Sequence, residues 1–282
     1  MDIIRSIPEM AEISRSLRHN GNVIALVPTM GYFHKGHLCL MDKARKISDK
    51  VIVSLFVNPT QFGPKEDLDK YPRDEKRDCA LAEKHGVDYI FIPSAEEMYP
   101  NGFQTFIEVK NVSLGLCGAS RPGHFRGVAT VVAKLLNITM PHKAIFGQKD
   151  YQQLLVIRRM VNDLNMNVEV VAHPIVREPD GLAMSSRNTY LSPEERDSAI
   201  SLYSALKLAE HVIKSGENST DVVADEIRKH IETFPYTKID YVFIGDPEDL
   251  QPIGKTIKGP VLIALAVYVG TTRLIDNAVV TP

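Results

Sequence analysis

Two histidines three residues apart could do chemistry together. His34 and His37 stand in Pro28-Thr29-Met30-Gly31-Tyr32-Phe33-His34-Lys35-Gly36-His37, directly after an apolar run and at the head of a helical pattern. At a helix N-terminus the unsatisfied backbone N–H groups and the positive dipole end favour an anion. Imidazole N–H donors aimed at the same point add charge-assisted bonds to a phosphate. Gly36 lets that phosphate approach the backbone. A pair of solvated loop histidines is the plain alternative. Zinc is a third reading, but HExxH is absent and no cluster of Cys or acids lies nearby in the sequence to complete a tetrahedron.

Other polar groups fall at similar places. Asn58-Pro59-Thr60-Gln61-Phe62-Gly63 follows a second apolar run, with Tyr71-Pro72-Arg73-Asp74 after it. Neutral amides donate and accept at once, which suits a polar or hydroxylated ligand. The same dipeptides are also plain turn signals. Phe146-Gly147-Gln148-Lys149-Asp150 follows another run, with Gln152 and Gln153 just inside the next helix. A lysine at such a turn is well placed for a phosphate, and Asp150 suits an N-cap. Met184-Ser185-Ser186-Arg187-Asn188 brings two hydroxyls and a guanidinium into one connection, a set able to clamp phosphate. Gly123-His124-Phe125-Arg126-Gly127 is basic and Gly-flanked at a helix start but otherwise unspecific.

The elements that must position these groups are legible as patterns. Continuous apolar runs at Val23–Val27, Val51–Val57, Val87–Ile92 and Ala144–Phe146 fit strands buried on both faces of a parallel sheet. Helical patterns separate them, at Gly36–Ile47, Asp74–His85, Phe125–Ile138 and Asp150–Leu164. The third of these is apolar enough to pack centrally. The Asp74–His85 pattern predicts charge outside, with Cys79, Leu81 and Ala82 inward. Strand alternating with helix reads as a doubly wound α/β fold, in which ligands bind beyond the carboxyl ends of the strands.

The remainder differs. Val168–Val176 predicts a strand and Glu178-Pro179-Asp180-Gly181 a turn. Ser192-Pro193-Glu194-Glu195 starts a helix reaching about Ser215-Gly216, and a second spans roughly Thr220–Thr233. Two β-like runs follow, Ile239–Ile244 and Val261–Val269, before Arg273-Leu274-Ile275-Asp276-Asn277. This predicts a smaller α+β domain over 177–282, after a nucleotide-binding domain over 1–176.

Composition excludes several classes. The 282 residues hold 33 Lys plus Arg and 35 Asp plus Glu, a net charge of −2, with no broad face to neutralise a nucleic acid. The 44% apolar content argues against disorder. No apolar run approaches the ~18 residues of a membrane span, and the N-terminus shows no signal-peptide core. Three scattered cysteines without CxxC spacing suggest reduced thiols and a cytoplasmic protein.

In this order, PTMGYFHKGH, FVNPTQF, YPRD, RPGHFRGVATVVAKLLNI, FGQKDYQQ and GLAMSSRNTYLS resemble the pantothenate synthetase (pantoate–β-alanine ligase) family. The likeness runs from about Val27 to Leu191 and on to RLIDN. HxGH alone is shared with many adenylyl-transferring proteins and with class I aminoacyl-tRNA synthetases. NPTQF, GQKD and MSSRN make it far more specific. The resemblance implies a Rossmann-like nucleotidylyltransferase domain with the smaller C-terminal domain as a lid. It implies ligation in two steps. ATP and (R)-pantoate give pantoyl-adenylate and pyrophosphate, and β-alanine then displaces AMP.

The resemblance also implies the site. Met30, Gly31, Tyr32, Phe33, His34, Lys35, Gly36 and His37 would bind ATP, with His34 and His37 on the phosphates and His37 the main catalytic donor. Lys149, Ser185, Ser186 and Arg187, beside Met184, would hold the triphosphate. Gly147, Gln148 and Asp150 would line the nucleotide, and Val176 would meet adenine or ribose through its backbone. Gln61 and Gln153 would hold pantoate, with Asn58 nearby. A magnesium ion, a homodimer and a cytoplasmic location complete the expectation, with Asp74 and Asp150 as candidate magnesium contacts.

Overall fold

The first strand, β1, is only Asp2–Ile4, and helix α1 follows at Ile7–His19. Then come β2 (Ile24–Thr29), α2 (Lys35–Ile47), β3 (Lys50–Leu55), α3 (Glu75–Lys84) and β4 (Tyr89–Phe91). Short helices α4 (Ala95–Met98) and α5 (Cys117–Ser120) precede the long α6 (His124–Thr139). The alternation ends with β5 (Lys143–Gly147), α7 (Tyr151–Asp163) and β6 (Glu169–His173). The six strands form one parallel sheet in the order β1-β4-β3-β2-β5-β6. This is a computed structural model, and it describes residues 1–64 and 66–282.

The four apolar runs became the four central strands because both of their faces are covered. Ile24, Ala25, Leu26 and Val27 are all fully buried. Ala25 and Val27 meet Phe33, Met41 and Ala44 on one side, while α6 packs against β2 as well. Each large aliphatic chain so buried stabilises the fold by roughly 1.5–3 kcal/mol. The chain order reverses between β2 and β5. The loops after β2, β3 and β5 therefore leave the carboxyl ends of three adjacent parallel strands, beside the switch point where such sheets bind ligands.

The later residues form α8 (Pro193–Ala199), α9 (Ser201–Lys214), α10 (Thr220–Glu232) and an antiparallel sheet of β7 (Thr237–Gly245), β8 (Val261–Val269) and β9 (Thr272–Val280). Leu202, Leu206 and Ile213 of α9 share a core with Val223, Ile227 and Ile231 of α10 and with Ile263, Leu265 and Val267 of β8. Ser192 starts α8, as the sequence predicts, and forms a capping box with Glu195. The expected single helix to Ser215 is two, meeting at Ile200. Serine hydroxyls here bond back to carbonyls four residues earlier, Ser198 to Glu194 at 3.4 Å and Ser204 to Ile200 at 3.1 Å. Such bonds compete with the helical ladder and bend it.

The chain divides into two compact units, Met1–Gln148 with Gln153–Pro174 and Lys149–Gln152 with Ile175–Pro282. The sequence reading put the division after residue 176 and left Lys149–Gln152 with the first part. That short segment joins the second unit through the Lys149 carbonyl, which accepts from Asn277 Nδ2 at 2.9 Å, and the Tyr151 hydroxyl, which donates to the Pro247 carbonyl at 3.1 Å.

Candidate active site

The loop after β2 turns sharply. Gly31 and Tyr32 both hold positive φ, 87° and 52°. A Cβ on Gly31 would lie 3.1 Å from Asp78 Oδ2, so glycine serves here both for conformation and for room. Asp78 grips the turn from α3. Its Oδ2 accepts the Tyr32 N–H at 2.6 Å and its Oδ1 the Phe33 N–H at 2.7 Å. Next to it, Arg77 donates to the Phe33 carbonyl at 2.8 Å and covers the Tyr32 ring. Asp78 is 1% exposed, and burial pushes its carboxyl above the ordinary value against the pull of the two amides. The expectation that α3 carries all its charge outward is thus corrected: Ala82 is inward, but so is Asp78.

The turn delivers the two histidines to the first turn of α2. His34 is the N-cap: its Nδ1 accepts the Gly36 N–H at 3.1 Å, and His37 Nδ1 accepts the His34 N–H at 3.3 Å. This is a reciprocal capping box built from imidazoles. With each Nδ1 accepting, the neutral rings carry their hydrogen on Nε2. The two rings stand 4.1 Å apart between centroids. Lys35 is exposed at the helix start, whereas Phe33 is fully buried, with its N–H on Asp78 and its carbonyl on Arg77, so it supports the turn from within.

After β3, a short 3-10 turn over Pro59–Gln61 holds the amides. Asn58 is 1% exposed, and each of its polar atoms has partners in the protein. Its Oδ1 accepts from the Tyr99 hydroxyl at 2.8 Å and the Thr60 hydroxyl at 2.9 Å. Its Nδ2 donates to Gln61 Oε1 and to the Gly127 carbonyl, both at 3.2 Å. Gln61 Nε2 points at Met30 Sδ, 3.0 Å away, so the loops after β2 and β3 meet here. From α6, His124 Nδ1 lies 2.8 Å from the Gln61 carbonyl, and Arg121, just after α5, forks onto Glu66 at 2.7 and 2.6 Å. Gly127 is where α6 closes on this turn: a Cβ there would fall 2.3 Å from the Thr60 carbonyl oxygen. After β5, a 3-10 turn over Gln148–Asp150 runs into α7, whose first turn carries Gln153.

Within the second unit, residues 176–184 form a small hairpin. Met184 N–H donates to the Val176 carbonyl at 3.0 Å, and Arg177 bridges Ala183. Ser185 caps the 3-10 turn Ser186–Tyr190 by accepting from Arg187 N–H at 3.2 Å, and Ser186 is buried. Glu178 binds Asn188 Nδ2 and Arg196, each at 2.8 Å, and so ties the serine-arginine turn to α8.

A family model described as pantoate-beta-alanine ligase matches residues 2–279. The chain belongs to the pantoate–β-alanine ligase family. Pantothenate synthetases of Thermotoga petrophila and Moorella thermoacetica are 57% and 56% identical over 279 residues, covering 99% of this chain and 99% and 98% of theirs. The crystal structure of pantothenate synthetase from Thermus thermophilus superposes with a TM-score of 0.94 at 45% identity, each chain covered in full. The pantoate-β-alanine ligase of Francisella tularensis, complexed with β-γ ATP and β-alanine, has a TM-score of 0.80 at 35% identity, with 99% of this chain and 97% of that one covered. Ligation of pantoate to β-alanine, giving pantothenate, is therefore this chain's activity.

In the first unit of this pantoate–β-alanine ligase, His34 meets His37, and Gln61 meets both Asn58 and Met30. The second holds Lys149 and Asp150 as well as Val176, Met184, Ser185, Ser186 and Arg187. Sequence reasoning missed Asp78, Arg77 and Tyr99, which hold the site loops without belonging to any of their motifs. For Asp78 the only signal is a carboxylate on the side of α3 that also carries Ala82.

Proposed function

We propose that the chain performs the ligation through pantoyl-adenylate, with ATP phosphates at the start of α2. The observation that carries this reading is the imidazole capping box, which fixes both rings as Nε2–H donors at the positive end of a 13-residue helix. The pantoate carboxylate is ionised at neutral pH, so it attacks the α-phosphorus without a general base. The P–O bond to pyrophosphate breaks as the new one forms. His37, with His34, donates to the transferred phosphoryl oxygens, where charge grows. The β-alanine amine then attacks the acyl carbon, its N–H proton is lost, and AMP leaves.

Gln61 and Gln153 hold pantoate through neutral amides. Asn58, whose amide is engaged within the protein, sets Gln61 in place. Met30, Gly31, Tyr32, Lys35 and Gly36 frame the nucleotide with Gly147, Gln148, Asp150, Val176 and Met184, and the buried Phe33 backs their turn. Lys149, Ser185, Ser186 and Arg187 neutralise the triphosphate, and the second unit closes to keep water from the mixed anhydride. A magnesium ion would come with ATP and neutralise phosphate charge. Such an ion is held mainly by phosphates and water; among the described residues no group of three His, Cys, Asp or Glu could hold a metal. Asp74 accepts the Arg77 N–H at 3.0 Å as a helix cap, a role compatible with a water-mediated contact. The working protein is a cytoplasmic homodimer. No described helix is long and apolar enough to cross a membrane, and the three cysteines are unpaired with one another.

The test is exchange of labelled pyrophosphate into ATP with magnesium and pantoate but no β-alanine. Exchange that requires pantoate is the expected result. ATP binding without exchange overturns the adenylate step.

A further inference from the structure

Strand β9 places a carboxylate where an apolar residue is the default. Side chains alternate along a strand, and Asp276 shares its face with Leu274, Ala278 and Val280, all in or against the second core. It is 2% exposed. A carboxylate left there without partners is strongly destabilising, and an aliphatic side chain at that position would be simpler. The partners are specific. Arg177 forks onto Asp276 at 2.6 and 2.9 Å, and the Asn277 N–H adds a third bond at 2.8 Å.

Each side of this node leads to a triphosphate-binding candidate. On one side, Arg177 also donates to the Gly181 carbonyl at 3.0 Å and lies over the Tyr203 ring. It therefore fixes the turn of the hairpin that delivers Met184 and Ser185. On the other, Asn277 Nδ2 donates to the Lys149 carbonyl at 2.9 Å. Lys149 lies near enough for its charge to act on Asp276. The four residues Lys149–Gln152 are flanked in the chain by residues of the first unit on both sides, yet they belong with the second.

We infer that Asp276 and Asn277 are positioning residues that join Lys149 and the Val176–Met184 hairpin into one preassembled triphosphate-binding body. The inference rests on the reading that Lys149 contacts the ATP phosphates. Asp276 and Asn277 touch no substrate; they act through Lys149 and the hairpin.

The test is a double-mutant cycle on the full-length enzyme with Lys149→Ala and Asn277→Ala, read by pantoate-dependent pyrophosphate exchange. Asn277→Ala should raise the ATP KM about tenfold, the scale of one hydrogen bond to a backbone carbonyl. It should leave the pantoate KM and the β-alanine-dependent release of AMP from preformed pantoyl-adenylate within about twofold. The two substitutions should be far from additive, because both act at one lysine. If Asn277→Ala is insoluble, Asn277→Ser enters the same cycle. Equal losses in all three readouts, or additive effects with Lys149→Ala, overturn the positioning role while Lys149 keeps its own. A Lys149→Ala enzyme with normal ATP kinetics overturns both the inference and the reading beneath it.

Discussion

His34 does two things with one ring. Its Nδ1 closes the first turn of α2, and on the proposed reading its Nε2–H donates to a phosphate. The two can be separated. His34→Ala removes the cap and should cost about 1 kcal/mol of stability. His34→Asn keeps an acceptor for the Gly36 N–H, so its melting temperature should stay near that of the wild type while turnover falls as far as in the alanine variant. Thermal unfolding beside steady-state rates decides it. Gln61→Glu is the second case at this scale. A carboxylate there keeps the contact with Asn58 but, on the proposed reading, faces the substrate's own carboxylate, and the pantoate KM should rise by about two orders of magnitude. Wild-type pantoate kinetics would remove Gln61 from the site. Glu66 supplies a pH dependence. Burial pushes its carboxyl up, but the hydrogen bonds and charge of Arg121 outweigh this and hold it below the ordinary value of 4.5. A depressed carboxylate contributes its stability in full above pH 4.5 and loses it as the pH falls through the lowered value. Glu66→Gln should therefore flatten the acid limb of melting temperature against pH below 4.5.

At the scale of elements, the proposed pantoate side depends on how closely α6 approaches the turn after β3. Gly127→Ala puts a methyl group 2.3 Å from the Thr60 carbonyl oxygen and 2.7 Å from the Gln61 amide. The helix must back away, at about 1–3 kcal/mol. Asn58 then loses its hold on the Gly127 carbonyl, so the pantoate KM should rise with the ATP KM little changed. Gly115→Ala, where a Cβ meets nothing within 4 Å, is the matched control. The central strands were legible because burial on both faces leaves uninterrupted apolar runs, and α2 was legible from its period. Edge strand β1 was not: three residues, one of them a charged Asp2, carry no pattern. Helix α1 was hidden because Ser14 takes a core position between Met10 and Leu17, its hydroxyl satisfied by the Met10 carbonyl at 2.8 Å. Asp78 was illegible for a related reason. Its burial is made tolerable by amides 45 and 46 residues away in the chain, which no local window contains.

For the whole molecule, the proposed closure has a direct measure. The radius of gyration from small-angle scattering should fall when magnesium, ATP and pantoate are added together. An unchanged value would dismiss the lid. The HxGH, NPTQF and MSSRN segments identified the family from sequence because each keeps its chemistry in a few adjacent residues. The membership of Lys149–Gln152 in the second unit was out of reach, since it depends on Asn277 and on Pro247 far along the chain. That membership has a practical side for anyone who would express the parts separately. Because the polypeptide passes between the units at 148/149, 152/153 and 174/175, no single cut yields both intact. A fragment begun at Ile175 would lack the carbonyl that receives Asn277 and the hydroxyl that reaches Pro247. Dissection at the apparent domain boundary would thus yield a C-terminal piece missing four residues that belong with it, and a graft of residues 149–152 would have to travel with it.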